Sequence, residues 1–313
     1  MHARQLVAAF LFASSGIAQD ASPVPANAAA ARSVQERLLA TSALGRTAFT
    51  AEWLWPDAST NTMARQAAPE SSTADGVSYD EALLVRWTKG KPAELLQVGR
   101  HTLLRSGDGA WRVAKGNGGA LPAFVPDPQL LLRLLAASAL QIGDRSTGER
   151  QGQAVELVAV TLTLEQCAEL VFAGAMLDPN PLPSGMRQLM TQRGVPASEF
   201  PDPVVDVGLE FDVKTGQLLR LRIRALVAPT DSARIRQLAG GRAAGGAVPA
   251  PAAPAEAATP LTPAAPLRYD DGMPVRATEG LKERVFELRL RDHGKAPALE
   301  LDAQQRRLVG RGA

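Results

Sequence analysis

Glu210 and Asp212 are next-but-one neighbours on a strand-like run, about 6–7 Å apart, with Asp206 on the same side. Carboxylates at that spacing suit general acid–base chemistry, in which one must hold its proton. The facing arm carries Arg220, Arg222 and Arg224. Opposite charge keeps carboxylates ionised, so the row reads as a structural ladder rather than an acid–base pair. His101 and His293 each fall at a strand end or turn and read as solvated or capping histidines rather than catalytic ones. Cys167 lies among Leu164, Leu170 and Val171 and reads as a buried, inert thiol with no disulfide partner. Gly116-Asn117-Gly118-Gly119 lacks the Lys-Ser/Thr of a phosphate cradle, and Asp270-Asp271-Gly272 lacks the later ligand of a calcium loop. No nucleophile elbow, zinc-protease helix or dinucleotide fingerprint occurs. The residues therefore predict no enzyme: catalytic residues none, metal none, cofactors none. A hydrolase built on His101 or His293 is the least favoured alternative.

The elements that carry these residues are more informative. Val205, Val207, Leu209, Phe211 and Val213 alternate with Asp206, Gly208, Glu210 and Asp212. After the turn Lys214-Thr215-Gly216-Gln217, Leu219, Leu221, Ile223, Ala225 and Val227 alternate with Leu218, Arg220, Arg222 and Arg224. This predicts an antiparallel hairpin, greasy on one face, whose register sets arginines beside carboxylates on the solvent side.

Arg4 precedes the apolar run from Leu6 to Phe12, and small residues offer a cleavage point after Ala18. That pattern predicts a secretory signal peptide over 1–18 and a periplasmic or otherwise exported, soluble protein with no stable membrane span. Residues 19–31 are Ala/Pro-rich and read as a disordered leader. The net charge is +2, with 34 basic and 32 acidic residues interleaved, so no nucleic-acid footprint stands out. Residues 32–313 read as one domain, interrupted at about 229–266 by a disordered Ala/Pro/Gly-rich insertion with at most a short helix near Asp231–Leu238.

Within that domain, Ser33 and Glu36 predict the start of a helix, and Phe49–Trp55 a strand ended by Pro56. Residues 57–78 read as a loop. A meander follows, with strands at Ala82–Thr88, Glu94–Val98, Thr102–Arg105 and Ala110–Ala114. A leucine-rich helix covers Gln129–Ala139, a strand Gln153–Leu162, and a helix capped by Thr163 and Gln166 runs to about Ala175. A short helix near Met186–Arg193 and a strand with Phe286, Leu288 and Leu290 on one face complete the reading.

In this order the segments resemble the periplasmic lipoprotein-carrier superfamily, LolA/LolB-like, with the related mycobacterial lipoglycan carriers. The resemblance rests on the first helix and the strand Ala48–Trp55, the meander ending in Asp108-Gly109-Ala110-Trp111, and the helix after Pro126-Asp127-Pro128. The strand–helix at 153–175 and the hairpin Asp206–Arg224 complete it. It implies an α+β fold: a strongly curved antiparallel sheet, an unclosed half-barrel, with helices covering its concave apolar face and a cavity for acyl chains. The insertion at 229–266 departs from that pattern, and Cys167 lies too far from the signal to be a lipid anchor.

The resulting expectation is a non-catalytic cell-envelope protein binding a lipid or acylated protein, and a soluble carrier in its most specific form. The candidate cavity wall is Phe49, Trp53, Val205, Val207, Leu209, Phe211, Leu219, Leu221, Ile223, Phe286 and Leu288. The alternative is an envelope sensor or interaction module with a closed core, no lipid cargo and an envelope protein as partner.

Overall fold

The computed structural model describes residues 26–54, 71–88, 92–114, 124–179, 184–192, 203–227, 269–270, 273–274 and 281–310. The expected signal peptide, Trp55, the Gly116–Gly119 loop and the 229–266 insertion lie outside them. So do residues 19–25, but the first helix, α1 (Ala26–Ser42), takes in 26–31 and leaves Ser33 inside the helix rather than at its cap. Ala28–Ala31 read as leader composition, yet alanine has the highest helix propensity and extends a packed helix backwards.

An antiparallel sheet of eleven strands dominates the α+β fold. Its members are β1 (Thr47–Leu54), β2 (Ser71–Ser78), β3 (Ala82–Trp87), β4 (Ala93–Val98), β5 (His101–Ser106), β6 (Arg112–Val113), β7 (Gln141–Arg150), β8 (Gln153–Leu162), β9 (Val204–Asp212), β10 (Leu218–Val227) and β13 (Lys282–Arg291). They lie in the order β6-β5-β4-β3-β2-β1-β13-β10-β9-β8-β7. The sheet is not closed; β6 and β7 are its two edges among the described residues. A small ribbon, β11 (Tyr269–Asp270) with β12 (Met273–Pro274), lies apart in pairing.

Three features depart from the sequence reading. Residues 71–78, read as loop, form β2, because Ala74 and Gly76 face the core while the rest is too polar to show a greasy period. Gly76 stands opposite Phe49, and a Cβ there would lie 2.3 Å from the Phe49 ring and 2.4 Å from the Leu84 carbonyl oxygen. The position is closed to any side chain. Strand β7 (QIGDRSTGER) is exposed along most of its length, so burial imposes no alternation on it. A helix near the end of the chain, α5 (Ala303–Gly310), was not anticipated; Leu308 and Val309 pack with Leu96, Leu103 and Trp111 on the back of β4 and β5.

Helix α2 (Pro128–Ala137) starts where Asp127 accepts a hydrogen bond from the Leu130 N–H and Pro128 supplies the first helical position. Helix α3 (Leu164–Phe172) has the predicted capping box of Thr163 and Gln166. Helix α4 spans Ser184–Gln192. Side chains tie the helices together. Gln35 donates to the Ser138 carbonyl at 2.7 Å, Gln129 to the Gly45 carbonyl at 2.8 Å, and Gln166 to the Ala139 carbonyl at 2.7 Å.

Candidate functional site

Pairing brings the predicted apolar residues onto one face. Phe49 stands opposite Leu290 and Trp53 opposite Phe286 between β1 and β13. Phe286 also faces Ile223, and Leu288 faces Leu221, between β13 and β10. Leu221, Ile223 and Ala225 then meet Leu209, Val207 and Val205 of β9. Phe49, Trp53, Val205, Val207, Leu209, Phe211, Leu221, Ile223, Phe286 and Leu288 all belong to one continuous apolar cluster, none more than 3% exposed. The same cluster holds Val34 and Leu38 of α1, Leu131, Leu132 and Leu135 of α2, and Cys167 and Leu170 of α3.

Leu219 is the exception. The register shifts between Leu218 and Arg220, so Leu218 faces Phe211 and is fully buried, while Leu219 is half-buried and outside the cluster. A bulge adds one residue to a strand and reverses the alternation on one side of itself. Thr41 of α1 marks the spot by accepting the Leu218 N–H at 3.0 Å. Nothing in the period of two announces such an interruption.

Sequence reasoning also missed part of the wall. On β8 the inward residues are Val158, Val160 and Leu162, paired with Leu209, Val207 and Val205. Both sides of that strand are rich in Val, Leu and Ala, so only pairing decides which side faces in. Ala74, Val85, Trp87, Leu95 and Leu104 extend the same face through β2 to β5.

Arginine closes this face at two places. The Arg37 guanidinium of α1 lies 3.8 Å from the centroid of the Phe211 ring, pairs with Glu156 at 2.6 Å, and donates to the Gly216 carbonyl at 3.3 Å. At the other end Arg284, 3% exposed and in register with Phe286 on the inward face, donates to the Pro179 carbonyl at 2.7 Å.

The opposite face of β9 and β10 carries the predicted ladder, with one correction. Arg224 faces Asp206 and pairs with it at 3.1 Å; Arg220 faces Glu210, with 3.9 Å between charged atoms. The ion pairs continue through Arg220–Glu287 at 2.7 Å, Glu287–Arg289 at 2.6 Å and Arg150–Glu210 at 2.9 Å. The register is as expected, but this is not the solvent side. Asp206 is 0% exposed, and Glu210 and Asp212 are nearly as buried. The hairpin lies inside the sheet rather than at its edge, and β12 lies over β9 and β8, where buried Met273 packs and the Pro274 carbonyl accepts from Arg224.

Burial pushes the Glu287 carboxyl up, but Arg220 and Arg289 outweigh it and hold it below the ordinary carboxylate range. Burial likewise opposes, and Arg37 and Arg145 outweigh it for, the lowered Glu156. For Asp212, burial is outweighed by the backbone N–H groups of Lys214 and Thr215, with the Gln153 and Thr215 side chains adding to them. These groups are ionised anchors rather than proton donors. Burial pushes the Cys167 thiol up to about 11, with the Asp178 charge adding to it, which leaves it protonated and unreactive.

His101 and His293 are not brought together. His101 begins β5 and His293 follows β13, five strand positions apart, or about 24 Å along the sheet. Burial lowers the His293 pKa below the ordinary histidine value; the Leu218 backbone and the Asp292 and Asp212 charges oppose it incompletely, and neither ring nitrogen makes a hydrogen bond of normal geometry.

These shifts set a pH dependence. His293 folds in its neutral form, so its contribution is complete above pH 6.5 and is lost as the pH falls below that. Glu156, Asp212 and Glu287 have depressed folded values, so theirs is complete above the usual 4.5 of the glutamates and 3.8 of the aspartate and is lost as the pH falls through those depressed values. Urea midpoints measured from pH 7.5 to 3 should fall in two steps, and His293→Gln should remove the upper one. A midpoint independent of pH across this range would contradict both assignments.

Among the described residues, no group of three or more His, Cys, Asp or Glu is placed to hold a metal ion, and no helix is long and apolar enough to cross a membrane. An open groove of about 520 Å³ between the β2–β3 turn and α2 is lined by Ser78, Tyr79, Asp80, Gln129 and Arg133, a polar lining unlike the apolar face.

No protein-family model and no curated protein sequence matches the chain. Among solved structures, LprF from Mycobacterium bovis overlays with a TM-score of 0.44 at 12% identity, covering 88% of this chain and 97% of that one. The Mycobacterium tuberculosis lipoprotein LppX overlays with a TM-score of 0.39 at 9% identity, covering 87% and 98%.

Proposed function

We propose that this is a non-catalytic, exported, soluble cell-envelope protein that binds a lipid or an acylated protein between its apolar sheet face and α1 to α3. The face would be the concave side of a half-barrel, with helices α1 to α3 as a cover that ligand displaces. The observation that carries this reading is the extent of the apolar face. It runs from β8 to β5, nine strands or about 38 Å across. By contrast α2 and α3, with 10 and 9 residues, are only about 15 Å long each. Helices this short are each seated by a few apolar side chains, Leu131, Leu132 and Leu135 on α2 and Cys167 and Leu170 on α3, and would make a cover that can move off such a surface. Methylenes buried there would contribute about 0.8 kcal/mol each.

A second reading keeps the core closed and makes the protein a sensor or interaction module. The near-zero exposure of Phe49, Phe211, Leu221 and Leu288 favours it. Organic extraction of a detergent-free preparation, followed by mass spectrometry, separates the two. A carrier releases acyl lipid in at least a substantial fraction of molecules; an extract free of lipid, with no uptake of added fatty acid, would sink the carrier reading and leave the closed module.

A further inference from the structure

Trp53 carries a polar atom that the apolar face does not use. The residue is 3% exposed, yet its indole Nε1–H has no hydrogen-bond partner. Trp111 has a buried, unpartnered Nε1–H as well, but it sits in the small separate cluster, whereas Trp53 stands on the continuous apolar face, where an open donor asks for an acceptor from outside the protein. Its surroundings are aromatic: Phe124 lies edge-on at 5.6 Å between ring centroids and 90°, and Phe124 in turn lies edge-on to Phe286 at 5.6 Å and 87°. A ring face is a weak acceptor and leaves the N–H open to a stronger one. Positive charge stands at the same end, because Arg284 precedes Phe286 by two residues on the same inward face.

We propose that the Trp53 end of the face receives the carboxylate head of an acyl ligand, with the indole Nε1–H donating to a carboxylate oxygen and the chain lying toward Ile223 and Leu221. This rests on the lipid-binding reading above and adds to it an orientation and a head-group chemistry. The Trp53 donor supplies direction, and Arg284, itself held by the Pro179 carbonyl, stands at the same end of the face.

The test compares laurate with dodecane, of equal carbon number, on the full-length ¹⁵N-labelled protein. Laurate should move the Trp53 indole cross-peak downfield and dodecane should not. The peak of Trp111, which packs in the separate cluster under α5, should answer to neither. Trp53→Phe should weaken laurate binding roughly tenfold or more and leave dodecane within about twofold. Equal weakening of both ligands by Trp53→Phe, or an indole peak that moves alike with both, would overturn the assignment while leaving lipid binding intact. Failure of both ligands to enter the wild-type protein would instead remove the lipid-binding reading, and this inference with it. If Trp53→Phe does not fold, the wild-type spectra alone decide.

Discussion

Replacing Asp206 by Ala should cost about 3–5 kcal/mol of folding stability, measured by urea or thermal unfolding. The size follows from burial. Asp206 is fully buried on β9, and its partner Arg224 has a side chain only 13% exposed. Removing the carboxylate leaves the guanidinium with its Pro274 carbonyl contact but without the paired charge. A surface pair of the same geometry would contribute under about 1 kcal/mol, so the magnitude itself reports whether this face is covered. Replacing both residues, Asp206→Leu with Arg224→Leu, should recover part of the loss, since the buried Arg224–Asp206 pair is then removed as a unit. A loss below about 1 kcal/mol for Asp206→Ala would return the ladder to the solvent side.

Phe211→Ala should be comparably damaging, by about 3–5 kcal/mol. The ring is 0% exposed, lies against Leu218 across β9 and β10, and carries the Arg37 guanidinium on its face. Truncation opens a void where α1 meets the sheet and removes the surface on which Arg37 rests, while the Arg37–Glu156 pair remains. The neighbouring bulge supplies a control. Leu218→Ala should cost about 2–5 kcal/mol, and Leu219→Ala distinctly less, because only Leu218 turns inward. Similar losses for the two leucines would contradict the register shift.

Much of the architecture was legible because one face of each strand is buried, and burial writes a period of two into the residues. The hairpin of β9 and β10, the strand β13, the meander from β3 to β5 and the capped helices α2 and α3 were read at or near their observed bounds for that reason. Where burial does not discriminate, the signal vanished. Strand β7 is exposed, β2 is small and polar, and β8 is apolar on both sides, so the first two were missed and the inward side of the third was left open.

The opening carboxylates show the same division. That Asp206 and Glu210 would face arginines was contained in the alternation of the two arms, since antiparallel pairing about a fixed turn leaves few registers. That they would be buried was not. Burial of the ladder depends on β8 and β13 flanking the hairpin and on Met273-Pro274 lying across it, from a segment some fifty residues further along the chain. Likewise the alternating leucines determined that a greasy face must exist, but the bulge at Leu218 chose which of them it includes, and the meeting of β1, β13 and Phe124 left the Trp53 N–H without a partner. Local alternation reports which residues share a side of a strand; only the packing of distant segments decides what lies against that side.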